Sequence, residues 1–180
     1  MSFSLRVYVR EFDEHIDQAW AERMNSLGLR CVFPSGFSLL KTFEIREPII
    51  CTVSPPLSDA PWEPQATGIN VDAEDPEDYD LADAEASREV NVRAVMRAAK
   101  QYFHFYSSAG RADIDLLMQC YGAAALADVG KGVIVDEDQQ MAYGWGAYAI
   151  AHKNTQFVFK IPEPRRVEEK RTSFWRRMFG

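Results

Sequence analysis

The amino-acid sequence predicts an α+β fold: a mixed or antiparallel sheet with helices packed mainly on one face, a long acidic loop and a basic C-terminal tail. Residues 3–10, FSLRVYVR, alternate apolar and polar side chains with the two-residue period of a half-buried strand. The segment that follows changes to spacings of three and four residues, which are typical of an amphipathic helix. Two short apolar segments come next, and this order of strand, helix, strand and strand favours the α+β class.

Each early element has its own sequence signals. The first helix is predicted to begin near Asp13, a side chain suited to an N-cap, and to end before Gly28. Its apolar side is formed by Ile16, Ala19, Trp20, Met24 and Leu27. LRCVF and FSLLKTFEI are predicted as strands around the turn PSG, and PIICTV is predicted as a further short strand.

Residues 54–80 interrupt every periodicity. This segment holds five of the nine prolines of the chain. We predict a long exposed loop, which in a compact domain is either functional or disordered.

The second half of the chain returns to regular patterns. A helix is predicted from Leu81 to Lys100, a strand over QYFHFYSS, and a second strong helix over ADIDLLMQCYGAAALADVG. GVIV reads as a short buried strand, MAYGWGAYAIAHK is predicted as a helix although it also alternates like a strand, and TQFVFKI is predicted as the closing strand. The result is one α+β domain over residues 1–162 and a basic aromatic tail over residues 163–180.

Composition and cysteine spacing limit the classes of protein to which this chain can belong. The chain has 180 residues, 47% of them hydrophobic, which suffices for one domain with a substantial core. Cys31, Cys51 and Cys120 are widely spaced, odd in number and without a C-x-x-C pair, so we expect buried thiols in a reducing compartment. The charged N-terminus lacks the apolar core of a signal peptide, and no segment has the ~18 apolar residues of a spanning helix. The expected location is the cytoplasm.

Charge is distributed unevenly along the chain, whose net charge is −7. Ten acidic residues and no lysine or arginine lie between Asp59 and Glu85, whereas residues 160–180 hold seven basic and three acidic residues. An acidic surface steers basic partners towards it and disfavours nucleic acid as the main ligand.

Sequence motifs for catalysis and metal binding are weak. None of the three histidines, His15, His104 and His152, lies in a recognised catalytic signature. The segment DAEDPEDYD differs from an EF-hand loop because Glu77 stands at its glycine position and Asp83 at its terminal glutamate position. We therefore expect no catalytic residue, no metal site and no cofactor.

The acidic segment NVDAEDPEDYDLADAE, residues 70–85, is the strongest candidate for function, because eight of its sixteen side chains are carboxylates. Such a run often serves only to keep a loop soluble. Large aromatic side chains beside the charges instead favour an interface, in which rings supply buried area and carboxylates supply steering. The predicted partner-binding residues are Trp62, Asp72, Glu74, Asp75, Glu77, Asp78, Tyr79 and Asp80.

Two further segments carry a resemblance to a known family. WAERMNSLGL lies on the first helix, and in LLMQCYGAAALADVGKGVIVDEDQQ an alanine-rich helix runs into a short strand and an acidic turn. In this layout, over about residues 3–160, the chain resembles the small acidic α+β immunity proteins of bacterial polymorphic toxin and contact-dependent systems. It departs from them in its proline-rich loop and basic tail.

The resemblance implies a non-catalytic cytoplasmic protein that neutralises a cognate, basic toxin domain by occluding its active site or substrate surface. One alternative is a small enzyme or ligand-binding protein with a pocket at the sheet edge, lined by His104, Asp136 and Tyr143. Another is a membrane-peripheral adaptor, because the tail places Phe174 and Trp175 among arginines and would bind anionic lipid weakly.

Overall fold

The computed structural model describes residues 3–10, 13–39, 48–107 and 110–156, and within them it confirms the α+β class. The strands are β1 Phe3–Tyr8, β2 Leu29–Val32, β3 Ile49–Val53, β4 Gln65–Thr67, β5 Asn70–Glu74, β6 Tyr102–Ser107, β7 Val133–Val135 and β8 Met141–Tyr143. The helices are α1 Ile16–Ser26, α2 Asp78–Ala86, α3 Val90–Ala98, α4 Asp113–Val129 and α5 Ala147–Thr155, with a 3₁₀ turn at Gly144–Gly146 before α5.

The strands form two antiparallel sheets. The larger has the order β5-β6-β1-β7-β8, and the smaller has the order β2-β3-β4. In the larger sheet Leu5 lies opposite Phe105 and Val7 opposite Phe103, so these four side chains project from the same face. They enter the main hydrophobic core with α1, α4 and α5.

Helix α4 is the centre of that core. Every residue from Ile114 to Ala127 is buried, so this part of the helix has no solvent-exposed face. Alanine and glycine leave little side-chain bulk, so strands and helices approach α4 from several sides. A helix that is apolar all round is expected in such a position.

The helices are divided between the two faces of the larger sheet, with α1, α4 and α5 in the main core on one face. α2 and α3 lie against the opposite face and close a second, smaller core. This core contains Tyr8, Ala84, Val92, Val95, Met96, Tyr102, Val133 and Val135. β1 is therefore buried on both faces and is not the half-exposed strand that its alternating pattern predicted.

Residues 54–80 differ from the predicted loop, because β4, β5 and the start of α2 lie within them. Between Asn70 and Glu74, Val71 and Ala73 pack against the main core while the polar residues alternate with them, so a strand period is present among the carboxylates. Asp115 on α4 fixes the turn before β5, since its Oδ1 accepts a hydrogen bond from the Gly68 amide at 2.7 Å.

Other predicted elements need smaller corrections. The helix predicted from Leu81 to Lys100 is two helices, separated at Ser87–Glu89. The helix predicted over residues 141–152 starts instead with strand β8 and becomes helical only from Ala147. FSLLKTFEI beyond Leu39, TQFVFKI beyond Gln156 and the tail 163–180 lie outside the described residues. No helix in the described part of the chain has the length and apolar character to cross a bilayer.

Candidate functional site

The acidic segment of the sequence forms the edge of the larger sheet and the first turn of the helix beside it. β5 is an edge strand that pairs with β6, with Asp72 opposite His104 and Glu74 opposite Tyr102. Three residues separate the end of β5 from the start of α2, whose first turn carries Asp78 and Asp80. Strand pairing and helix packing thus hold this segment in a defined position.

Tyrosine and histidine side chains of β6 hold the carboxylates of β5. The Tyr106 hydroxyl donates to Asp72 Oδ2 at 2.8 Å, and the Tyr102 hydroxyl donates to Glu74 Oε2 at 2.6 Å. His104 Nδ1 lies 2.9 Å from Glu74 Oε1. These cross-strand pairs orient the carboxylates along one face of the sheet edge.

The hydrogen bonds change the acidity of these groups. The bond to Asp72, together with burial, raises the pKa of Tyr106 to about 12. Burial would raise the pKa of Glu74, but the hydrogen bonds from Tyr102 and His104 outweigh it, so that pKa lies below its ordinary value. Glu74 is thus an anion and Tyr106 a neutral donor at neutral pH.

Beneath the first turn of α2 lies a buried ion pair. Asp80 is fully buried, and its carboxylate accepts hydrogen bonds from Arg6 Nε at 2.6 Å, from Arg6 Nη2 at 2.9 Å and from the Tyr8 hydroxyl at 2.8 Å. With the Gln139 carboxamide oriented for bonding, its nitrogen donates to Asp80 Oδ1 at 2.9 Å and its oxygen accepts from Arg6 Nη2 at 3.0 Å. The pair is therefore well satisfied, as a buried charge pair requires.

The ion pair also fixes the neighbouring side chains of α2. The Arg6 guanidinium lies 5.1 Å from the centroid of the Tyr79 ring, within cation–π range. Burial would lower the pKa of Arg6, but the hydrogen bond and charge of Asp80 raise it, so the guanidinium stays charged. Tyr79 remains 48% exposed and projects an aromatic surface beside the carboxylates.

We call the resulting surface the acidic edge: Asp72, Glu74, Asp75, Glu77 and Asp78, with Tyr79 beside them. Asp75 and Asp78 are exposed, and the Glu74 side chain is 41% exposed. Six of the eight predicted partner-binding residues therefore lie together on one edge of the molecule.

The remaining two predicted residues have other roles. The carboxylate of Asp80 is used inside the protein by Arg6 and Tyr8, so it is not available to a partner in this conformation. Trp62 packs against the main core, donates from Nε1 to Ser58 Oγ at 3.0 Å, and lies apart from the smaller core that holds α2. Trp62 is therefore not part of the surface that the carboxylates form, and its half-buried ring packs against the main core.

Sequence reasoning missed the residues that organise the acidic edge. Arg6 stands at a polar position of the alternating segment 3–10, and Tyr102 and Tyr106 stand in QYFHFYSS, so the pattern predicts strands there but no role for these side chains. The available signal was the alternation of Tyr102, His104 and Tyr106, which places three hydrogen-bonding rings on one face of β6.

The three residues proposed to line an enzyme pocket do not converge. Asp136 follows β7, accepts from the Gln140 amide at 2.8 Å and faces Lys153, whereas Tyr143 packs beside the smaller core. A pocket of about 330 Å³ between α2 and α3 is lined by Leu81, Ala82, Glu85, Met96, Arg97 and Ala99, and includes none of the three. Within the described ranges, no group of three or more histidine, cysteine, aspartate and glutamate side chains is arranged to hold a metal ion.

The depressed pKa of Glu74 predicts a pH effect on stability. The ordinary pKa of a glutamate is near 4.5, which is the value expected in the unfolded chain. As pH falls, the Glu74 carboxylate is therefore protonated in the unfolded chain before it is protonated in the folded chain. The stabilisation from Glu74 is complete above about pH 4.5 and is lost as pH falls through the folded-state pKa. We expect less than about 1 kcal/mol, because solvent screens the partly exposed carboxylate.

Urea unfolding of the parent protein and Glu74→Gln, measured from pH 7 downward, checks this effect. The stability difference between them should shrink once the pH is below 4.5. Glu63→Gln, which alters an exposed carboxylate, is the matched control. A difference that stays constant with pH would contradict the assigned hydrogen bonds.

Comparisons with protein-family models, with curated proteins and with solved structures find no match to this chain, so the assignment of function rests on its own residues.

Proposed function

We propose that this chain is a non-catalytic binding protein that neutralises a cognate, basic toxin domain in the cytoplasm by occluding its active site or substrate surface. The acidic edge is the proposed contact surface. The observation that carries the proposal is the placement of five carboxylates and a half-exposed tyrosine along an edge strand and the adjoining helix turn.

Charge supports a basic partner. Arg6, which lies beneath this surface, is paired internally with Asp80, so its charge is already balanced inside the protein. An electrostatic field of one sign speeds the association of an oppositely charged protein, and Tyr79 offers the kind of aromatic contact that slows its release. Overall acidity also disfavours nucleic acid as the ligand.

The toxin class follows from the resemblance to immunity proteins and from this charge. Toxins that act on nucleic acid need basic clefts for the phosphate backbone. Carboxylates held in a fixed row along β5 and α2 are suited to occupy such a cleft in place of phosphates. We therefore propose a nucleic-acid-directed toxin domain as the partner.

The test begins with capture of partners from the native host at low salt, followed by elution at high salt and identification by mass spectrometry. The expected result is a near-stoichiometric basic domain whose toxicity is suppressed when the two proteins are co-expressed. Retention of no protein at either salt concentration would contradict the proposal.

Neutralising the acidic edge should weaken this complex. In the variant Asp75→Asn, Glu77→Gln and Asp78→Asn, we expect the association rate constant at low salt to fall roughly tenfold and its salt dependence to flatten. Asp80 is left unchanged because it is buried. Surface plasmon resonance over a salt series measures both quantities.

A matched control removes the same number of charges elsewhere. Glu14→Gln, Asp59→Asn and Glu63→Gln alter three exposed carboxylates outside the acidic edge. If both triple variants change the rate equally, net charge and not this surface steers association. If neither changes it, these carboxylates do not steer association, and the acidic edge is not the contact surface.

A further inference from the structure

Two of the three cysteines, which are 20 residues apart in the sequence, are in contact in the smaller sheet. Cys31 on β2 lies directly opposite Cys51 on β3, and their Sγ atoms are 3.1 Å apart. Both are free thiols in this structure. The wide spacing of the cysteines in the sequence gave no indication of this pairing.

The strand register places the two residues within the range of a disulfide. Directly opposed residues of an antiparallel pair have Cα atoms about 4.5 or 5.5 Å apart, depending on the hydrogen-bonding position. Disulfides span Cα distances of about 4.4 to 6.8 Å. Both positions satisfy this range, so the two sulfurs can be joined without moving the strands apart.

The positions of the three cysteines select which two thiols can react with each other. Cys31 is part-buried and Cys51 is fully buried, so Cys31 is the more accessible thiol of the two. Cys120 is buried within α4 and is not part of the pair. The Met118 Sδ atom lies 3.5 Å from Cys31 Sγ and closes the site from the side of the main core.

We propose that Cys31 and Cys51 form a reversible intrachain disulfide when the protein meets a small-molecule disulfide such as oxidised glutathione. The Cys31 thiolate attacks one sulfur of the oxidant, which forms a mixed disulfide and releases one glutathione thiolate. The Cys51 thiolate then attacks Cys31 Sγ and displaces the second glutathione. The protein loses two electrons and two protons, and the oxidant becomes two glutathione thiols.

The environment of the pair makes this reaction slow and strongly pH-dependent. The hydrogen bond with Cys51, together with burial, holds the pKa of the Cys31 thiol well above its ordinary value. Because only the thiolate attacks, the rate should rise about tenfold per pH unit through the neutral and mildly alkaline range, without the plateau of an exposed thiol.

The disulfide would fasten an edge strand to its neighbour. Among the strands that the structure describes, β2 pairs with β3 alone. The cross-link would close a loop between residues 31 and 51. Closing such a loop restricts the unfolded chain, so we expect Tm to rise by about 6 to 12 °C on oxidation and to return on reduction.

Peptide mapping of the folded, full-length protein tests the proposal. The protein is incubated with oxidised and reduced glutathione in different ratios, alkylated and digested with trypsin. Cys31 and Cys51 fall on separate tryptic peptides, residues 31–41 and 47–88, and Cys120 falls on a third. The expected product is a reducible cross-link between the first two peptides, with an intact mass lower by two hydrogens.

Variants separate this disulfide from other oxidation. Cys31→Ser should lose both the cross-link and the rise in Tm, whereas Cys120→Ala should keep both. A glutathione adduct on Cys31 without a cross-link would overturn the proposal. Three free thiols at the most oxidising ratio, or a cross-link between two chains, would overturn it as well.

Discussion

Replacing Asp80 with asparagine should lower the free energy of unfolding by about 3 to 5 kcal/mol. The substitution keeps the size of the side chain but removes the charge that balances Arg6, whose side chain is only 10% exposed. A buried guanidinium without its counter-ion has lost its hydration, and no interaction of similar strength replaces the lost water contacts. Urea unfolding followed by circular dichroism measures the loss.

The neighbouring carboxylate provides the control. Asp78→Asn removes the same charge from an exposed position two residues away and should change stability by no more than about 0.5 kcal/mol. Equal effects of the two substitutions would show that the Arg6–Asp80 pair does not stabilise the fold. A combined Arg6→Met and Asp80→Leu variant should be less destabilised than the sum of the single changes, because neither charge is then left alone.

The same ion pair links stability to the proposed function. α2 is held to the sheet by Arg6 and Asp80 and by a hydrogen bond from the Glu77 amide to the Tyr8 hydroxyl at 3.3 Å. Loss of Asp80 should therefore disturb Tyr79 and the first turn of α2 as well as the buried pair. We expect Asp80→Asn to weaken partner binding through this displacement, although Asp80 itself does not reach the surface.

Truncation of Trp20 to alanine is expected to cost about 3 to 5 kcal/mol. Its indole ring is fully buried, its Nε1 donates to the Gly122 carbonyl of α4 at 2.8 Å, and its ring lies 6.0 Å from that of Phe105 on β6. The ring also contacts Phe33 and Phe37. One side chain therefore joins α1, α4 and the larger sheet, and its removal leaves a large cavity.

Two controls separate the contributions of ring and hydrogen bond. Trp20→Phe keeps an aromatic ring and should lose less stability than Trp20→Ala. The lost hydrogen bond should account for about 0.5 to 1.5 kcal/mol, because the Gly122 carbonyl lies within α4 and keeps its helical partner. Val90→Ala, at a position that is 68% exposed, should be nearly neutral. Thermal and urea unfolding of these variants give the comparison, and a near-neutral Trp20→Ala would contradict the assigned packing.

Local periodicity accounts for the elements that the sequence predicted well. β1, α1 and β6 each have a pattern of apolar residues over a run long enough to show its period, while α4 and β7 are continuous apolar segments of helix and strand length. β5 has only two apolar residues between its polar ones, and prolines and carboxylates surround it. Its strand character depends on pairing with β6, which lies about 30 residues later in the chain.

The acidic edge likewise combines features that the local sequence shows with contacts between residues that are distant in sequence. The sequence revealed an unusual density of carboxylates beside aromatic residues, and six of the eight selected residues do lie on one edge. It did not reveal which of these carboxylates pair with side chains inside the protein. Asp75 and Asp80 are similar in sequence context, yet one is exposed and the other is buried against Arg6, 74 residues away in the chain.

The sequence by itself determined the α+β class, the main helices and strands, the acidic character of the surface and the candidate region for binding, because these depend on composition and on spacing along the chain. Only the tertiary structure decided that helices cover both faces of the sheet, that Asp80 pairs with Arg6 and that Cys31 meets Cys51. These contacts join residues that are distant in sequence. The folding of strands against one another brings them together, and no local pattern specifies which partner each side chain will find.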